Sequence, residues 1–342
     1  MTRIYTAGGE TAVVSPNGQV SHRLSFTTQP VALSQAGLGD VLAAHLTGGA
    51  GADLLVVGAP NSIPPTTASG LLYTNDTGSL RPGPSLPSVY NAKLASTNDL
   101  VAVSGTNGSE RLLDVMRYVP RLNATTPARL DLVTRLPGVE LAALDFATDR
   151  SGTDVLVVSG IGANGGPTGR VYVRRVGETS FSEVANAGVP GTFGGAATLN
   201  DLDGDGLLDL LLTGSVVGPQ FVEGTTALLM GNADGTFRPS GLTLPQLAGS
   251  VADAADRDGD GDLDLLLAGL DGSPIEGVGS YYVYDNDGSG TFTLHATGAA
   301  PYGGDGAWMD LNGFGELDFV IIGTSFGAAD ARFYRGVGGG EN

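Results

Sequence analysis

The sequence predicts an all-β fold in which four-stranded antiparallel blades form a ring, a β-propeller. Three observations predict it: an aspartate followed by a short apolar run recurs along the chain, the recurrence is regular, and glycine-rich turns separate the runs. No helical pattern of three turns is present, and no stretch reaches the roughly 18 apolar residues of a transmembrane helix. We therefore expect residues 1–342 to form one propeller domain.

The recurring aspartates lie at nearly constant intervals. Runs such as Leu54–Gly58 and Leu210–Gly214 follow them and are typical of strands buried on both faces. The aspartates are Asp53, Asp99, Asp154, Asp209, Asp264 and Asp318, at intervals of 46, 55, 55, 55 and 54 residues. A β-type sequence with a period in this range indicates a propeller or a solenoid.

Each unit is predicted to contain four strands in a fixed order. A strand of small residues comes first, for example Val251–Ala254, and the aspartate loop and the apolar strand follow it. A third strand such as Tyr281–Tyr284 comes after a Gly/Pro-rich connection. A turn such as Asp285–Gly288 then leads to an outer strand that begins at Thr-Phe. Four short strands in about 50 residues make one blade.

The number of blades depends on how the ring closes. Six anchoring aspartates are visible, but 77 residues separate Asp318 from Asp53 through the termini, more than one unit needs. Residues 1–35 contain three predicted strands, close to a blade. We therefore favour seven blades, with the N-terminal strands and the C-terminal strand Ala331–Arg335 closing the ring together. Six blades with additional N-terminal strands is the alternative.

Two loops, 201–209 and 256–264, place acidic residues at alternating positions. Glycines between the acids let the backbone curl tightly, and carboxylates this close repel one another unless a cation lies between them. Ca²⁺ accepts six to eight oxygen ligands in flexible geometry, so we predict it as the cofactor; a metal-free Asp/Gly turn is the alternative. The predicted ligands are Asp201, Asp203, Asp205, the Leu207 carbonyl and Asp209, then Asp256, Asp258, Asp260, the Asp262 carbonyl and Asp264.

A third loop, 310–318, repeats this pattern with one ligand fewer, because Phe314 replaces the middle acid. Its predicted ligands are Asp310, Asn312, the Glu316 carbonyl and Asp318. An EF-hand does not fit the first loop, since position twelve is Leu212 and a strand follows instead of a helix. The loops 45–53 and 91–99 lack the acids at the first, third and fifth positions, so we expect them to hold no metal.

These residues carry a family resemblance. Leu38–Asp40, Asp53–Pro60 and Gly70–Tyr73 resemble the FG-GAP repeat of integrin α-chain propellers, and the acidic loops resemble those of FG-GAP and VCBS repeats in bacterial surface and secreted proteins. The resemblance covers the chain from about residue 36 onward. It implies a propeller with Ca²⁺ between the first two strands of certain blades, and a place outside the cell or at its surface. The metal-dependent ligand-binding domain of integrins has no counterpart here, so an integrin-type ligand mechanism is not implied.

The composition of the chain limits the classes of molecule that it can bind. The chain has 36 Asp and Glu against 17 Lys and Arg, a net charge of −19, so nucleic acid and anionic membranes are poor partners. Cysteine is absent, which leaves no disulfide framework. Residues Met1–Gly9 lack the apolar core of a signal peptide, so we expect a cytoplasmic protein, or an excised or mature form of an exported one.

Strand order predicts which face binds a partner. The acidic loops and the turns between third and fourth strands share one face, and longer, more varied connections form the other. Binding residues concentrate on loops held by a rigid scaffold. We therefore expect a protein or carbohydrate ligand on the face opposite the calcium loops. Phe221, Tyr302 and Phe326 are candidate aromatic anchors there, with a packing role as the alternative for each.

We expect a monomeric binding or adhesion module rather than an enzyme. The sequence shows no Ser/His/Asp spacing, no HExxH motif, no phosphate-cradling glycine motif and no cysteine nucleophile. A polysaccharide lyase or hydrolase built on a propeller is the alternative, because the acid pairs that cleave glycosides meet only in space.

Overall fold

The computed structural model describes most of the chain. The described residues are 11–14, 20–23, 37–48, 52–59, 69–75, 80–122, 127–218, 222–271, 279–310 and 315–336. Within these ranges the chain forms strands and turns and no helix, which confirms the predicted all-β class. No helix in this part of the chain is long and apolar enough to cross a membrane.

Two short N-terminal strands, β1 (Thr11–Val14) and β2 (Val20–Arg23), pair with each other as a separate sheet. The other strands form six antiparallel sheets in which neighbours in sequence are neighbours in space. Blade 1 contains β3 (Gly37–Ala44), β4 (Asp53–Ala59), β5 (Ser69–Thr74) and β6 (Arg81–Ser85); blade 2 contains β7 (Tyr90–Thr97), β8 (Leu100–Thr106), β9 (Arg111–Val119) and β10 (Arg129–Pro137). Blade 3 contains β11 (Glu140–Thr148), β12 (Asp154–Ile161), β13 (Pro167–Arg174) and β14 (Ser182–Glu183); blade 4 contains β15 (Ala197–Asn200), β16 (Asp209–Val217), β17 (Val222–Gly231) and β18 (Phe237–Pro239). Blade 5 contains β19 (Leu247–Ala255), β20 (Asp264–Asp271), β21 (Gly279–Asn286) and β22 (Phe292–Ala300); blade 6 contains β23 (Tyr302–Met309), β24 (Asp318–Ser325) and β25 (Ala328–Tyr334).

The described residues form six blades, so the favoured count of seven is wrong and the alternative of six is correct. The C-terminal strand β25 pairs with β24 as the third strand of blade 6, with Ala331 opposite Ile322, and it does not begin another blade. The hairpin of β1 and β2 is hydrogen-bonded to no other described strand. Between Asp318 and Asp53 the described residues therefore add a two-stranded sheet and no further blade.

The core lies between neighbouring blades, because the second strands of blades 1 to 5 are buried on both faces along most of their length. In β8 and β12 almost every side chain is buried, as the unbroken apolar runs predicted. Leu55 and Val57 of blade 1 pack in one cluster with Val101 and Val103 of blade 2, and further clusters join each later pair. Each blade thus depends on its neighbours for burial of its apolar faces.

Glycines in or just before the first strands allow a close approach to the second strands. A Cβ on Gly39 would lie 1.9 Å from the Val57 carbonyl oxygen. On Gly195 it would lie 2.1 Å from the carbonyl oxygen of Thr213. No side chain fits at such distances, so these positions require glycine. The same close contact recurs in different blades, which explains why a small residue is retained near the start of these units.

Candidate metal centres

The loop 201–209 connects β15 to β16 and brings three carboxylates together. One oxygen each from Asp201, Asp203 and Asp205 lies within 4.8 Å of the other two. Gly204 and Gly206 have φ values of 75° and 92°, left-handed conformations that glycine adopts without strain. The predicted curl of this loop is therefore present.

The backbone of this loop wraps around its own carboxylates. Asp201 Oδ2 accepts a hydrogen bond from the N–H of Gly206 at 3.1 Å, and Asp205 Oδ1 accepts one from Leu207 at 2.8 Å. These bonds hold the carboxylates toward the inside of the turn. They leave the remaining lone pairs of the three side chains available to a cation.

The loop 256–264 connects β19 to β20 and has the same conformation. Asp256, Asp258 and Asp260 bring their oxygens within the same 4.8 Å limit. Asp256 Oδ2 accepts from the N–H of Gly261 at 3.2 Å, which matches the contact between Asp201 and Gly206. Among the described residues, these are the only two groups of three acidic, histidine or cysteine side chains that converge in this way.

The first loop contains a polar atom that lacks a partner. Asp201 Oδ1 is buried and accepts no hydrogen bond, while its Oδ2 lies 2.8 Å from Nη2 of Arg150, an exposed side chain of blade 3. Leaving a buried acceptor without a partner costs about 1–3 kcal/mol. A cation at this point would satisfy Asp201 Oδ1, and the oxygen-only donor set is that of a hard cation such as Ca²⁺. The residues present therefore fit the predicted ion.

A buried arginine lies beside the second loop. The guanidinium of Arg257 lies 3.1 Å from Asp258 Oδ2 and 2.9 Å from Asp285 Oδ1. Desolvation, followed by the carboxylates of Asp260 and Asp256, raises the pKa of Asp262. One arginine thus compensates only part of the negative charge of this loop.

The ninth residue of each loop has a structural role that does not require metal. Asp209 Oδ2 accepts from the N–H of Leu202 at 3.0 Å, and its Oδ1 accepts from Gly231 at 2.8 Å. Desolvation raises the pKa of this buried carboxyl to about 6. The same pair of bonds recurs at Asp264, from Arg257 at 3.0 Å and Asn286 at 2.9 Å, and at Asp53, from Leu46 at 2.9 Å and Asn75 at 2.8 Å.

Blade 1 therefore keeps this carboxylate although its loop has lost the other acids. The ninth aspartate ties the loop between the first and second strands to the turn after the third strand. Sequence reasoning assigned it only as a metal ligand and missed this role. The repetition of Asp53 in a loop without the alternating acids was the available signal. Ligation of a metal by Asp209 and Asp264 stays a prediction.

The third loop is described only in part. Asn312 and Phe314 lie outside the described residues. Asp318 is buried at the start of β24, and its Oδ1 accepts from the N–H of Gly336 at 2.9 Å. Asp310 is exposed at the end of β23, and Oε2 of Glu316 is buried without a hydrogen-bond partner. The predicted ligand set at 310–318 therefore stays a prediction.

Two of the other loops pair their last aspartate with an arginine. Asp99 is exposed and lies 2.9 Å from Nε of Arg117. Asp154 is buried, accepts two hydrogen bonds from Arg174 through Oδ2, and accepts one from the Thr148 hydroxyl through Oδ1 at 2.8 Å. In blades 2 and 3 the charge of this residue is thus balanced within the protein.

The acidic loops share a face with the turns between third and fourth strands, as predicted. The Asn286 side chain, at the end of β21, donates to the Leu202 carbonyl in the loop of blade 4 at 2.8 Å. Gly290 in the following turn packs against Asp203, where an added Cβ would lie 2.9 Å from the Asp203 Cβ. On the same face, a cavity of about 520 Å³ separates Ser151 of blade 3 from Leu207 and Asn232 of blade 4.

The sequence analysis assigned no role to four aspartates on the first, inner strands of their blades. They are Asp40, Asp145, Asp253 and Asp305, on β3, β11, β19 and β23. Burial raises the pKa of Asp40; Lys93 lowers it, and Asp305 of blade 6 raises it further. Asp40 of the first blade and Asp305 of the last blade thus lie near enough for their charges to interact. Their intervals of 105, 108 and 52 residues are close to multiples of the repeat length, and this was the signal available in the sequence.

Comparison with known proteins supports the repeat and the fold. The FG-GAP-like repeat family matches residues 201–267, which contain both acidic loops of blades 4 and 5. A search of curated proteins found no match. Trypanosoma rangeli sialidase in complex with sialic acid is similar in structure, with a TM-score of 0.50, 11% identity, and coverage of 98% of this chain and 60% of the sialidase. A mutant of AofleA from Arthrobotrys oligospora has a TM-score of 0.47 and 14% identity, over 87% of this chain and 83% of AofleA.

At these identities the structural likeness shows the fold alone. The chain spans about 60% of the length of the sialidase. Together, the match at residues 201–267 and the six blades identify a β-propeller that contains an FG-GAP-like repeat.

Proposed function

We propose that this protein is a Ca²⁺-binding β-propeller that acts outside the cell or at its surface as a binding or adhesion module for a protein or a glycan. The observation that carries the proposal is the pair of aspartate groups in blades 4 and 5, each with three converging carboxylates. Sites of this kind in extracellular modules work at Ca²⁺ concentrations of about 10⁻⁴–10⁻³ M. When bound, the ion neutralises the carboxylates and stabilises the curled loop.

The chain's own residues would hold the ion in two similar sites. Asp201, Asp203 and Asp205 supply side-chain oxygens in blade 4, and the unpartnered Oδ1 of Asp201 is the atom with most to gain. Asp256, Asp258 and Asp260 supply them in blade 5. The positive charge of Arg150 opposes binding of a cation at the first site, because its guanidinium lies 2.8 Å from Asp201.

The proposed ligand surface is the face opposite these loops. Phe326, in the turn between β24 and β25, is 76% exposed, and Val217, at the end of β16, is 72% exposed. Leu141, near the start of β11, is a third exposed apolar side chain at this end of the strands. Large apolar side chains on rigid strand ends are suited to anchor a partner. Tyr302 is half-buried, and Phe221 lies outside the described residues.

The inner strands favour a binding module over an enzyme. Asp145 accepts backbone hydrogen bonds from Leu199 and Phe146, so both of its oxygens are engaged in holding strands together. Asp253 is engaged in the same way, by Trp308 and Ala254. A catalytic acid pair would instead need oxygens directed at a substrate.

Tyr282 does not supply an activated nucleophile either. Its hydroxyl donates a short hydrogen bond to Asp271. Desolvation and that carboxylate raise the pKa of Tyr282 to about 12. The phenolate form is therefore disfavoured at neutral pH.

The experiment is a glycan array and a pull-down from extracellular material, each with Ca²⁺ and with EGTA. The key comparison uses Val217→Asp and Phe326→Ala against Val176→Asp. Val176 is 74% exposed, but it lies in the turn after β13 on the calcium-loop face. We expect the first two variants to lose ligand and Val176→Asp to retain it. Equal binding by all three variants would reject the proposed face, and turnover of a bound glycan would favour the enzyme alternative.

A further inference from the structure

Positive charge is concentrated in one part of this acidic protein. Residues 80–137, which contain β6 and all of blade 2, have seven Lys and Arg against four Asp and Glu. The rest of the chain has ten against 32. One sector of the ring is therefore locally basic within a molecule of net charge −19.

A groove between blades 1 and 2 lies within this basic sector. Its volume is about 680 Å³, within the range of roughly 300–1,000 Å³ typical of small-ligand sites. Arg81, at the start of β6, and Arg121, after β9, line it together. Thr47 also lines it, at the position that corresponds to Asp203 in the loop of blade 4. The groove is thus on the calcium-loop face, but its local charge has the opposite sign.

Two other arginines of blade 2 form ion pairs within the protein. Arg135 forms a two-point contact with Asp114 at 2.6 and 2.8 Å, and Arg129 lies 2.8 Å from Asp131. Arg81 is exposed, and no described carboxylate pairs with it. Within the described part of the chain its guanidinium thus has no anionic partner, and the planar fork of arginine suits a carboxylate.

The walls of the groove favour a sugar over a peptide. An acidic peptide would bind here most readily by adding a strand to the edge of β6, which is the outer strand of blade 1. Pro82 and Pro84 in β6 have no N–H to donate, so a continuous ladder cannot form there. Pro120 and Pro127 line the groove as well, and together these rings offer C–H faces to a sugar ring.

We propose that the groove between blades 1 and 2 binds an acidic oligosaccharide, whose carboxylate is held by Arg81 and Arg121. The site goes beyond the proposed function because it lies on the calcium-loop face, away from Phe326 and Val217. In a ring of six blades, blades 1 and 2 lie across the centre from blades 4 and 5. This face therefore has cation sites on one side and an anion site on the other.

The experiment measures binding of three carboxylate sugars by calorimetry, with the full chain and Ca²⁺ present: a hyaluronan tetrasaccharide, a galacturonate tetramer and sialyllactose. The methyl ester of each sugar is the uncharged control for its carboxylate. A tetraglutamate peptide tests whether the groove prefers an acidic peptide. The variants are Arg81→Gln and Arg121→Gln. Arg238→Gln is the control. Arg238 is exposed on β18 of blade 4, so its substitution removes the same charge on the other side of the ring.

We expect at least one acid sugar to bind, and its methyl ester to bind more weakly by about tenfold or more. Arg81→Gln and Arg121→Gln should each weaken binding of the acid by a similar factor, with unchanged melting temperatures, while Arg238→Gln binds as the unmodified chain does. Absence of binding for all three sugars, equal binding of acid and ester, or equal loss in Arg238→Gln would overturn the proposal. Tighter binding of tetraglutamate would overturn it in favour of a peptide site. Val217→Asp and Phe326→Ala leave this groove intact, so both variants should still bind the acid sugar here. Loss of ligand on their face and loss of sugar binding in the groove can therefore be told apart.

Discussion

The carboxylate of Asp145 in β11 accepts a hydrogen bond of 2.7 Å from the backbone N–H of Leu199 in β15, and so joins blade 3 to blade 4. Two other pairs of blades have the same contact: Asp40 with Leu94 at 2.8 Å, and Asp253 with Trp308 at 3.1 Å. An aspartate thus links blade 1 to 2, blade 3 to 4 and blade 5 to 6. Between blades 4 and 5 the Thr198 hydroxyl instead donates to the Ala252 carbonyl at 2.9 Å.

The Asp145 link predicts a dependence of stability on pH. The pKa of Asp145 is raised to about 6. Desolvation is the main cause and the charge of Asp253 adds to it, while the backbone hydrogen bonds oppose the increase. An unfolded aspartate has a pKa near 3.9, so the folded state binds the proton more tightly. Its contribution to the free energy of unfolding is therefore greatest below about pH 4, and decreases as pH rises through 6, by an amount on the order of 3 kcal/mol.

The measurement is urea unfolding between pH 4 and 8 in EGTA. Asp145→Asn should flatten the profile relative to the unmodified chain. Asp131→Asn, which changes an exposed carboxylate paired with Arg129, is the control and should leave the slope unchanged. An identical slope in Asp145→Asn would contradict the role of this carboxyl.

Calcium should stabilise the fold through the loops of blades 4 and 5. A ligand that binds only the native state adds about 2.7 kcal/mol per site at a hundredfold excess over Kd. We expect the melting temperature to be higher in Ca²⁺ than in EGTA, and Asp205→Ala and Asp260→Ala each to remove part of that difference with little effect in EGTA. Asp234→Ala changes an exposed acid in the turn after β17, on the same face, and should have no such effect. Equal melting temperatures in Ca²⁺ and EGTA would show that the loops are only turns.

Asp209→Ala should do more harm than Asp205→Ala, and should do so even without calcium. The substitution leaves the N–H groups of Leu202 and Gly231 without their acceptor at a buried position. Losing these partners costs about 3 kcal/mol. Asp53→Ala tests the same bonds in blade 1, where the alternating acids are absent. Urea unfolding in EGTA should give similar losses for both variants, and a loss for Asp209→Ala seen only in Ca²⁺ would argue against the structural role.

Arg150→Ala should raise the Ca²⁺ affinity of the first loop several-fold. Its guanidinium lies 2.8 Å from Asp201, where a positive charge opposes a second cation. The pair is worth little to stability in EGTA because Arg150 is mostly exposed. Arg175→Ala removes an exposed arginine from the same face and serves as the control. Calorimetric titration should show tighter binding for Arg150→Ala alone; unchanged affinity would mean that solvent screens this charge.

The repeated aspartate and the apolar run after it were enough to locate the second strand of every blade. Asp53, Asp154, Asp209, Asp264 and Asp318 each begin such a strand, and Asp99 directly precedes one. The alternating acids likewise predicted which carboxylates would meet, because residues two apart in a tight turn are held together by the local backbone alone. These features depend on short-range geometry, which the order of the residues specifies.

Other features depend on which blades become neighbours, and only the tertiary structure decided them. The blade count could not be read from the 77 residues across the termini, since it depends on whether terminal strands join an existing sheet. Asp145 and Leu199 are 54 residues apart, and Arg81 and Arg121 belong to different blades. Their contacts arise when apolar faces pack blade against blade, a process driven by burial that specifies no particular polar pair. For that reason the sequence by itself determined the repeat and the local curl of the acidic loops, while the packing of neighbouring blades determined the links between them and the basic groove.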